Sequence, residues 1–152
     1  MIDRRSSKSY LNVMLENNLP SRVKVFTDGA SRGNPGPSSI GIVFYDSSDE
    51  VVGEYKETLG SQTNNYAEYM AVIRAMEIGV EKEVRFMDFY CDSQLLVKQM
   101  LGEYKVKAPQ IKELFVQAKA LVRQFNEVGF NHVRREFNKE ADALANQALD
   151  SL

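Results

Sequence analysis

The chain has 152 residues, 43% of them hydrophobic and 26% charged, with a formal net charge of −2. This balance is typical of one globular domain and excludes a disordered or fibrous chain. The single cysteine excludes an internal disulfide and a cysteine-based zinc site, and no apolar run approaches the roughly 20 residues of a membrane span, so we expect a cytoplasmic protein.

The predicted elements begin with an N-terminal extension. Residues 1–20 start polar and then place four apolar side chains at helical spacing before Pro20, which predicts a short amphipathic helix. We expect this extension to pack on the surface of a main domain over residues 21–150, with partner binding as the alternative.

Three β-branched and aromatic runs follow, over residues 22–28, 40–45 and 51–58. Because short turns separate them, they predict an antiparallel meander. The first run ends at Asp28, and a loop rich in Gly and Pro follows it at once. An apolar run that stops in this way predicts a carboxylate at the end of a strand, where sites collect in open α/β sheets.

The second half of the chain alternates between helical and strand patterns. Helices are predicted over 64–80, 94–101, 109–125 and 138–149, the last with Asn138 as its N-cap, and strands over 85–91 and 128–134. The resulting order β-β-β-α-β-α-α-β-α predicts an α/β fold with a mixed sheet whose faces are covered by helices.

Four acidic residues stand out, and each has an ordinary structural explanation. Asp28 precedes a glycine, as in many turns, and Glu68 has the spacing of a capping box. Asp92 has the position of a helix N-cap, and Asp142 lies where an acid complements a helix dipole.

The positions of these four acids together favour a different interpretation. Asp28 and Asp92 both follow apolar strands, and Glu68 shares a helix face with apolar residues, where an unpaired carboxylate is costly. Such acids repel one another unless a cation neutralises them, and all-oxygen ligation suits Mg²⁺ or Mn²⁺. Two ions about 4 Å apart would support phosphodiester hydrolysis.

Four motifs carry a family resemblance, in order: TDGASRGNPGP at 27–37, TNNYAE at 63–68, YCDSQ at 90–94 and NKEADALA at 138–145. Together they resemble type 1 ribonuclease H over residues 22–149, in a form without the basic protrusion and the N-terminal hybrid-binding domain. The resemblance implies a five-stranded mixed sheet and a monomeric endonuclease. It also implies cleavage of the RNA strand of RNA–DNA hybrids to 5′-phosphate and 3′-hydroxyl ends.

The resemblance also implies a role for each acid. Asp28 bridges two Mg²⁺ ions, for which Mn²⁺ can substitute. Asp142 helps to hold the ion of the attacking water, and Glu68 and Asp92 hold the ion at the departing 3′ oxygen.

Substrate contacts follow from the same resemblance. Amide side chains that both donate and accept suit 2′-hydroxyls and base edges, whereas their alternative roles are turns and caps. The implied contact residues are Gly29, Ser31, Asn34, Thr63, Asn64, Asn65 and Gln94.

The chain departs from the family pattern at three places. Ser61 stands where many members have an arginine, which makes double-stranded RNA a candidate second substrate. The linker 102–108 replaces the protrusion, with Tyr104 as a candidate surface for the DNA sugar. The last loop lacks the family's histidine, for which Arg135 or Glu136 is the candidate replacement in product release. The lone His132 is assigned a structural role.

Three other classes of protein compete with this interpretation. A non-catalytic hybrid- or RNA-binding module would not need four carboxylates. The ribonuclease H domain of a reverse transcriptase would follow a polymerase region, which this chain is expected to lack. A small-molecule α/β enzyme would carry a phosphate loop or a nucleophile motif, and neither is present in the sequence.

Overall fold

The computed structural model of the protein describes residues 18–152, so the predicted N-terminal helix lies outside the described part. The strands are β1 Arg22–Ser31, β2 Gly36–Tyr45, β3 Val51–Gln62, β4 Phe86–Cys91 and β5 Glu127–His132. The helices are α1 Asn64–Glu81, α2 Gln94–Met100, α3 Pro109–Val122 and α4 Lys139–Asp150, with a 3₁₀ turn at Arg135–Phe137.

Over the described residues the strands form one five-stranded sheet in the order β3-β2-β1-β4-β5. β1, β2 and β3 pair antiparallel, and β4 joins β1 and β5 in parallel. The predicted α/β fold with a mixed sheet is therefore confirmed, including the antiparallel pairing of its first three strands.

The first hairpin is longer than its apolar pattern predicts. β1 continues three residues past Asp28, and pairing runs on until Ser31 faces Ser38. A bond from the Arg32 N–H to the Pro37 carbonyl, 2.9 Å long, closes the short connection. Periodicity of apolar residues misses this extension because small and polar residues sustain the backbone ladder without burying apolar side chains.

The parallel pair at the centre of the sheet fixes where the functional residues lie. Thr27 on β1 is in register with Cys91 on β4, so the residues that follow, Asp28 and Asp92, leave the pair at the same edge. Val25 and Phe89, which are register partners, are completely inaccessible to solvent. Along β4 buried and half-buried residues alternate, so only one face of this strand is fully covered, although its apolar run is nearly continuous.

Helices α1 and α4 cover opposite faces of the sheet, and two glycines let them approach it. A Cβ on Gly29 would lie 2.4 Å from the Glu68 nitrogen of α1, and one on Gly41 would lie 2.1 Å from the Ala141 oxygen of α4. Gly41 is the register partner of Asp28, so Gly29, the next residue on β1, points to the other face. None of the helices in the described part is both long and apolar enough to cross a membrane.

Candidate active site

Each of the four predicted acids is positioned by a different element. Asp28 lies within β1, and Asp92 directly follows β4. Glu68 lies in the second turn of α1, and Asp142 lies in the first turn of α4. Because these elements converge on one edge of the sheet, Asp28 and Asp142, which are 114 positions apart in the chain, become neighbours.

Three of the four carboxylates form a compact cluster. Oxygen atoms of Asp28, Glu68 and Asp92 all lie within 4.8 Å of one another. Asp142 is not part of this set of three, but it lines the same cavity as Asp28 and Asp92, and its charge contributes to raising the pKa of Asp28. The structure thus brings all four predicted acids together, with Asp142 on the outer side.

Burial and mutual repulsion shape the electrostatics of the cluster. Asp28 is 6% exposed and Glu68 is 7% exposed. Burial raises the pKa of Asp28, and the charges of Glu68 and Asp92 raise it further. Burial also raises the pKa of Glu68, and Asp92 adds to the effect, whereas the Gly29 N–H and the Arg135 guanidinium oppose it.

The Glu68 carboxylate connects α1 to β1. Its Oε1 accepts a hydrogen bond of 2.5 Å from the Gly29 N–H, immediately after Asp28. This bond satisfies one lone pair of a buried acid and leaves the second oxygen available to a cation. The donor set, which consists of clustered carboxylate oxygens with no sulfur or imidazole, therefore fits a hard divalent cation.

The helix caps exclude two of the ordinary explanations for these acids. Thr63 is the N-cap of α1, and its Oγ1 accepts from the Tyr66 N–H at 3.2 Å. Ser93 caps α2 in the same way through the Leu96 N–H. Glu68 is therefore too far along α1 for a capping box, and Asp92 does not cap α2. Asp142 does lie where it complements the dipole of α4.

A cavity of about 380 Å³ opens above the carboxylates. Its polar lining includes several residues that the sequence singled out, and these are Asp28, Gly29, Ser31, Asn64, Asp92, Arg135 and Asp142. The Ser31 hydroxyl donates to the Gly33 and Gln62 carbonyls, so it holds the hairpin connection in place.

The other predicted contact residues lie around this cavity rather than in it. Asn34 Oδ1 accepts from the Asn64 N–H at 3.1 Å, which ties the hairpin to the start of α1. Asn65 lines a second, more apolar cavity, and Gln94 is exposed at the first position of α2. Glu136 is not in the lining of the first cavity and pairs with Arg134 at 3.5 Å.

Two asparagines at the site were not predicted as functional residues. Asn146 lines the cavity, and its Nδ2 lies 3.0 Å from the Asp142 carbonyl and 3.3 Å from the Asp142 carboxylate. Its spacing of four from Asp142 on a helix was a usable signal. Asn138, which the sequence suggests only as a helix cap, donates to Asp92.

Cys91 and His132 take no part in the cavity lining. Cys91 is buried below the site with its Sγ 3.2 Å from Thr27 Oγ1, and burial raises its pKa to about 12, so the thiol stays protonated. His132 is exposed at the end of β5, which leaves its predicted structural role without a buried contact to support it.

Comparison with known proteins places this site in a family. The sequence model described as "Reverse transcriptase-like" matches residues 26–148. A protein named ribonuclease HI from Halobacterium salinarum is 38% identical over 144 residues, which cover 95% of this chain and 72% of the relative. The crystal structure of RNase H1 from this archaeon covers 86% of this chain and 99% of the solved chain, with a TM-score of 0.84.

Two further relatives extend the comparison. A bifunctional protein of Mycobacterium tuberculosis is 40% identical over 131 residues, and this chain spans only 36% of its length. LC11-RNase H1, solved in complex with an RNA/DNA hybrid, is 39% identical with a TM-score of 0.80. That match covers 85% of this chain and 97% of the solved one.

Proposed function

This chain belongs to the type 1 ribonuclease H family, and we propose that it hydrolyses the RNA strand of RNA–DNA hybrids. The cluster of three carboxylates at the sheet edge, two of them buried, carries this proposal, because a binding module has no need to place three acids within 4.8 Å of one another. The hybrid bound to LC11-RNase H1 supports the choice of substrate. Water would add to phosphorus as the bond to the 3′ oxygen breaks, which leaves 5′-phosphate and 3′-hydroxyl ends.

We propose that Asp28, Glu68, Asp92 and Asp142 hold two Mg²⁺ ions, for which Mn²⁺ can substitute. The burial of Asp28 and Glu68 beside other acids supports this role, since cations would remove the cost of keeping these two carboxylates ionised. When bound, the ions supply activation of the attacking water and neutralisation of the charge on the departing oxygen. All four acids lie at one site within a single chain, which supports activity as a monomer.

The RNA strand is proposed to lie over the 380 Å³ cavity. Gly29 and Ser31 line it, and the exposed Asn64 amide provides both a donor and an acceptor for a 2′-hydroxyl. Arg135 also lines the cavity and can pair with a phosphate. Since Glu136 is turned toward Arg134, Arg135 is the better candidate for a role in product release.

The DNA strand is proposed to lie over the second cavity, which has a volume of about 590 Å³. We call this cavity the linker groove, and it is lined by Asn65, Leu95, Gln99, 103–108 and Ile111. Asn65 places the groove beside the start of α1, close to Thr63, the predicted phosphate contact. Tyr104 is 51% exposed there, with Lys98 Nζ 5.0 Å from its ring centre. An apolar surface bordered by lysines suits a sugar–phosphate backbone. Gln94, exposed at the start of α2, is proposed as a further contact.

Cleavage of end-labelled substrates with and without Mg²⁺ tests the proposed function. We expect the wild-type protein to cut the RNA strand of a hybrid and Asp92→Asn to lose at least about 1,000-fold of that rate, since it removes one charge from the cation site. Asp88→Asn is the matched control, because Asp88 lies on β4, the strand that Asp92 follows, and has an exposed side chain.

Duplex RNA and duplex DNA of the same sequence complete the assay. Cleavage of duplex RNA would identify the second substrate that Ser61 suggests, and cleavage of duplex DNA would contradict the proposal. Hybrid binding without cleavage in Mg²⁺ and in Mn²⁺ would identify the chain as a non-catalytic module instead.

A further inference from the structure

Asn138 has a buried carboxamide at the junction of three elements of the site. The whole residue is only 1% exposed to solvent. The Nδ2 atom donates to the Thr27 carbonyl at 2.8 Å and to Asp92 Oδ2 at 3.0 Å. One side chain therefore connects the strand residue before Asp28 to the carboxylate that follows β4.

The chemistry of these neighbours fixes the orientation of the carboxamide. The Thr27 carbonyl and the Asp92 carboxylate both accept hydrogen bonds, so only the NH₂ end of Asn138 can face them. Its Oδ1 is buried and has no hydrogen-bond partner among the described residues. A buried orphan acceptor is unfavourable for folding, which argues that the residue type is retained for the two donated bonds.

Capping of α4 does not explain this side chain. Asn138 occupies the N-cap position, but its side chain makes no capping hydrogen bond. Only its backbone carbonyl serves the helix, by accepting from the Asp142 N–H at 3.1 Å. The same residue thus starts the helix of one site acid through its backbone and holds another site acid through its side chain.

We propose that Asn138 is a positioning residue that orients the Asp92 carboxylate for cation binding. Its donated bond occupies Oδ2 and fixes the orientation of the carboxylate, and the bond to Thr27 keeps this oxygen at a fixed place relative to β1. A residue with 1% exposure does not reach the substrate, so its side chain acts through the two groups to which it donates, the Asp92 carboxylate and the Thr27 carbonyl. The inference rests on the proposed metal-dependent cleavage.

Three substitutions separate this role from capping. Asn138→Ala removes both donors and should raise the Mg²⁺ concentration for half-maximal cleavage by about 10- to 100-fold, with the KM for hybrid within about 2-fold. Asn138→Asp keeps a good N-cap residue but places an acceptor against two acceptors. It should therefore raise the Mg²⁺ concentration for half-maximal cleavage as much as Asn138→Ala or more. Asn138→Ser retains a single donor, so its Mg²⁺ requirement should rise less than that of Asn138→Ala.

Calorimetric titration with Mn²⁺ in the absence of substrate provides a readout other than activity, and we expect weaker binding in the same order. Asn131→Ala is the matched control, because its Nδ2 also donates to a strand carbonyl, that of Phe89, at 3.0 Å and away from the acids. It should leave the Mg²⁺ dependence unchanged.

Wild-type Mg²⁺ dependence and Mn²⁺ affinity in Asn138→Asp would overturn the inference, as would an equal effect of Asn131→Ala. If Asn138→Ala does not fold, the Mg²⁺ dependence of Asn138→Ser is compared with that of Asn138→Asp, since both residues are good N-caps. Equal Mg²⁺ dependence of these two variants would also overturn the inference. A wild-type protein that fails to cleave hybrid refutes the proposed function itself. Cleavage by wild type with unaffected Asn138 variants refutes only the positioning role.

Discussion

Glu68 shows how the site and the stability of the fold compete at a single residue. Its side chain is nearly buried, yet it lies beside Asp28 and Asp92 and receives one backbone hydrogen bond. A carboxyl group whose pKa is raised in the folded state binds more protons folded than unfolded. It stabilises the fold fully below its ordinary pKa, and that contribution is lost as the pH rises through the raised value.

The first prediction concerns Glu68→Gln in the presence of a chelator. The amide cannot ionise, and its oxygen can still accept from the Gly29 N–H, so we expect the melting temperature of the variant to exceed that of wild type. The difference should widen from pH 5.5 to pH 8.5, to about 3 °C or more, because only the wild type loses its bound proton.

Calorimetry at several pH values measures this difference, and Mg²⁺ provides its control. Addition of the ion at pH 8.5 should raise the melting temperature of the wild type more than that of Glu68→Gln, since the ion stabilises only a site that binds it. A variant less stable than wild type at pH 8.5 in chelator would show that repulsion is not the dominant effect at Glu68.

At the level of secondary structure, two close contacts between helices and the sheet define the site. α1 and α4 contact the two faces of the sheet at Gly29 and Gly41, where the backbones lie too close for a side chain. These contacts bring Glu68 and Asp142 to the edge at which β1 and β4 end. The position of each helix is thereby part of the geometry of the cation site.

The second prediction concerns Gly41→Ala, which adds a methyl group 2.1 Å from the Ala141 oxygen. The helix α4 must move by about 1 Å, which should cost about 1–3 kcal/mol of unfolding free energy and shift Asp142. We expect cleavage to fall by about 10- to 100-fold, although Gly41 does not line the cavity.

Chemical denaturation and cleavage rates measured on the same variants test this coupling. Gly60→Ala is the control, because its φ of +74° makes alanine strained while nothing lies within 4 Å of the added carbon. It should lose stability but keep its activity. Full activity in Gly41→Ala would show that the place of α4 does not control the site.

The distribution of charge over the whole molecule reconciles an acidic chain with a nucleic acid substrate. Of the 21 acidic residues, four belong to the proposed cation site, so 17 remain against 19 basic residues. Lys105 and Lys107 lie on the linker groove, where they add positive potential beside an exposed tyrosine. Local basic charge therefore compensates for the net charge of −2.

The third prediction concerns the double variant Lys105→Ala/Lys107→Ala. If the groove holds the DNA backbone, the KM for hybrid should rise about 3- to 10-fold at low salt while kcat stays unchanged. The dependence of log KM on log salt concentration should also become shallower, by about one for each phosphate that a lysine no longer neutralises.

Steady-state kinetics across a series of salt concentrations provides the measurement. The matched control is Lys56→Ala/Lys82→Ala, which removes the same charge from the outer strand β3 and from the far end of α1. Equal effects of the two double variants would indicate a diffuse electrostatic contribution and would contradict a specific backbone site in the linker groove.

The sequence alone determined the element order and the identity of the four acids. Strand and helix periodicities are local properties, and β4 is recognisable as a short, mostly apolar run although only one of its faces is fully buried. Four motifs in a fixed order established the family, and the comparisons confirm it. The extension of β1 to Ser31 was missed because backbone pairing does not require apolar side chains.

Only the tertiary structure decided how these residues combine at the site. The distances among Asp28, Glu68 and Asp92 depend on strand register and on the approach of α1 at Gly29, which no local pattern encodes. The bond from Asn138 to Asp92 joins residues 46 positions apart, so the sequence offered Asn138 only as a helix cap. Local physics specifies which side chains are available, whereas packing between distant segments decides which of them share a site.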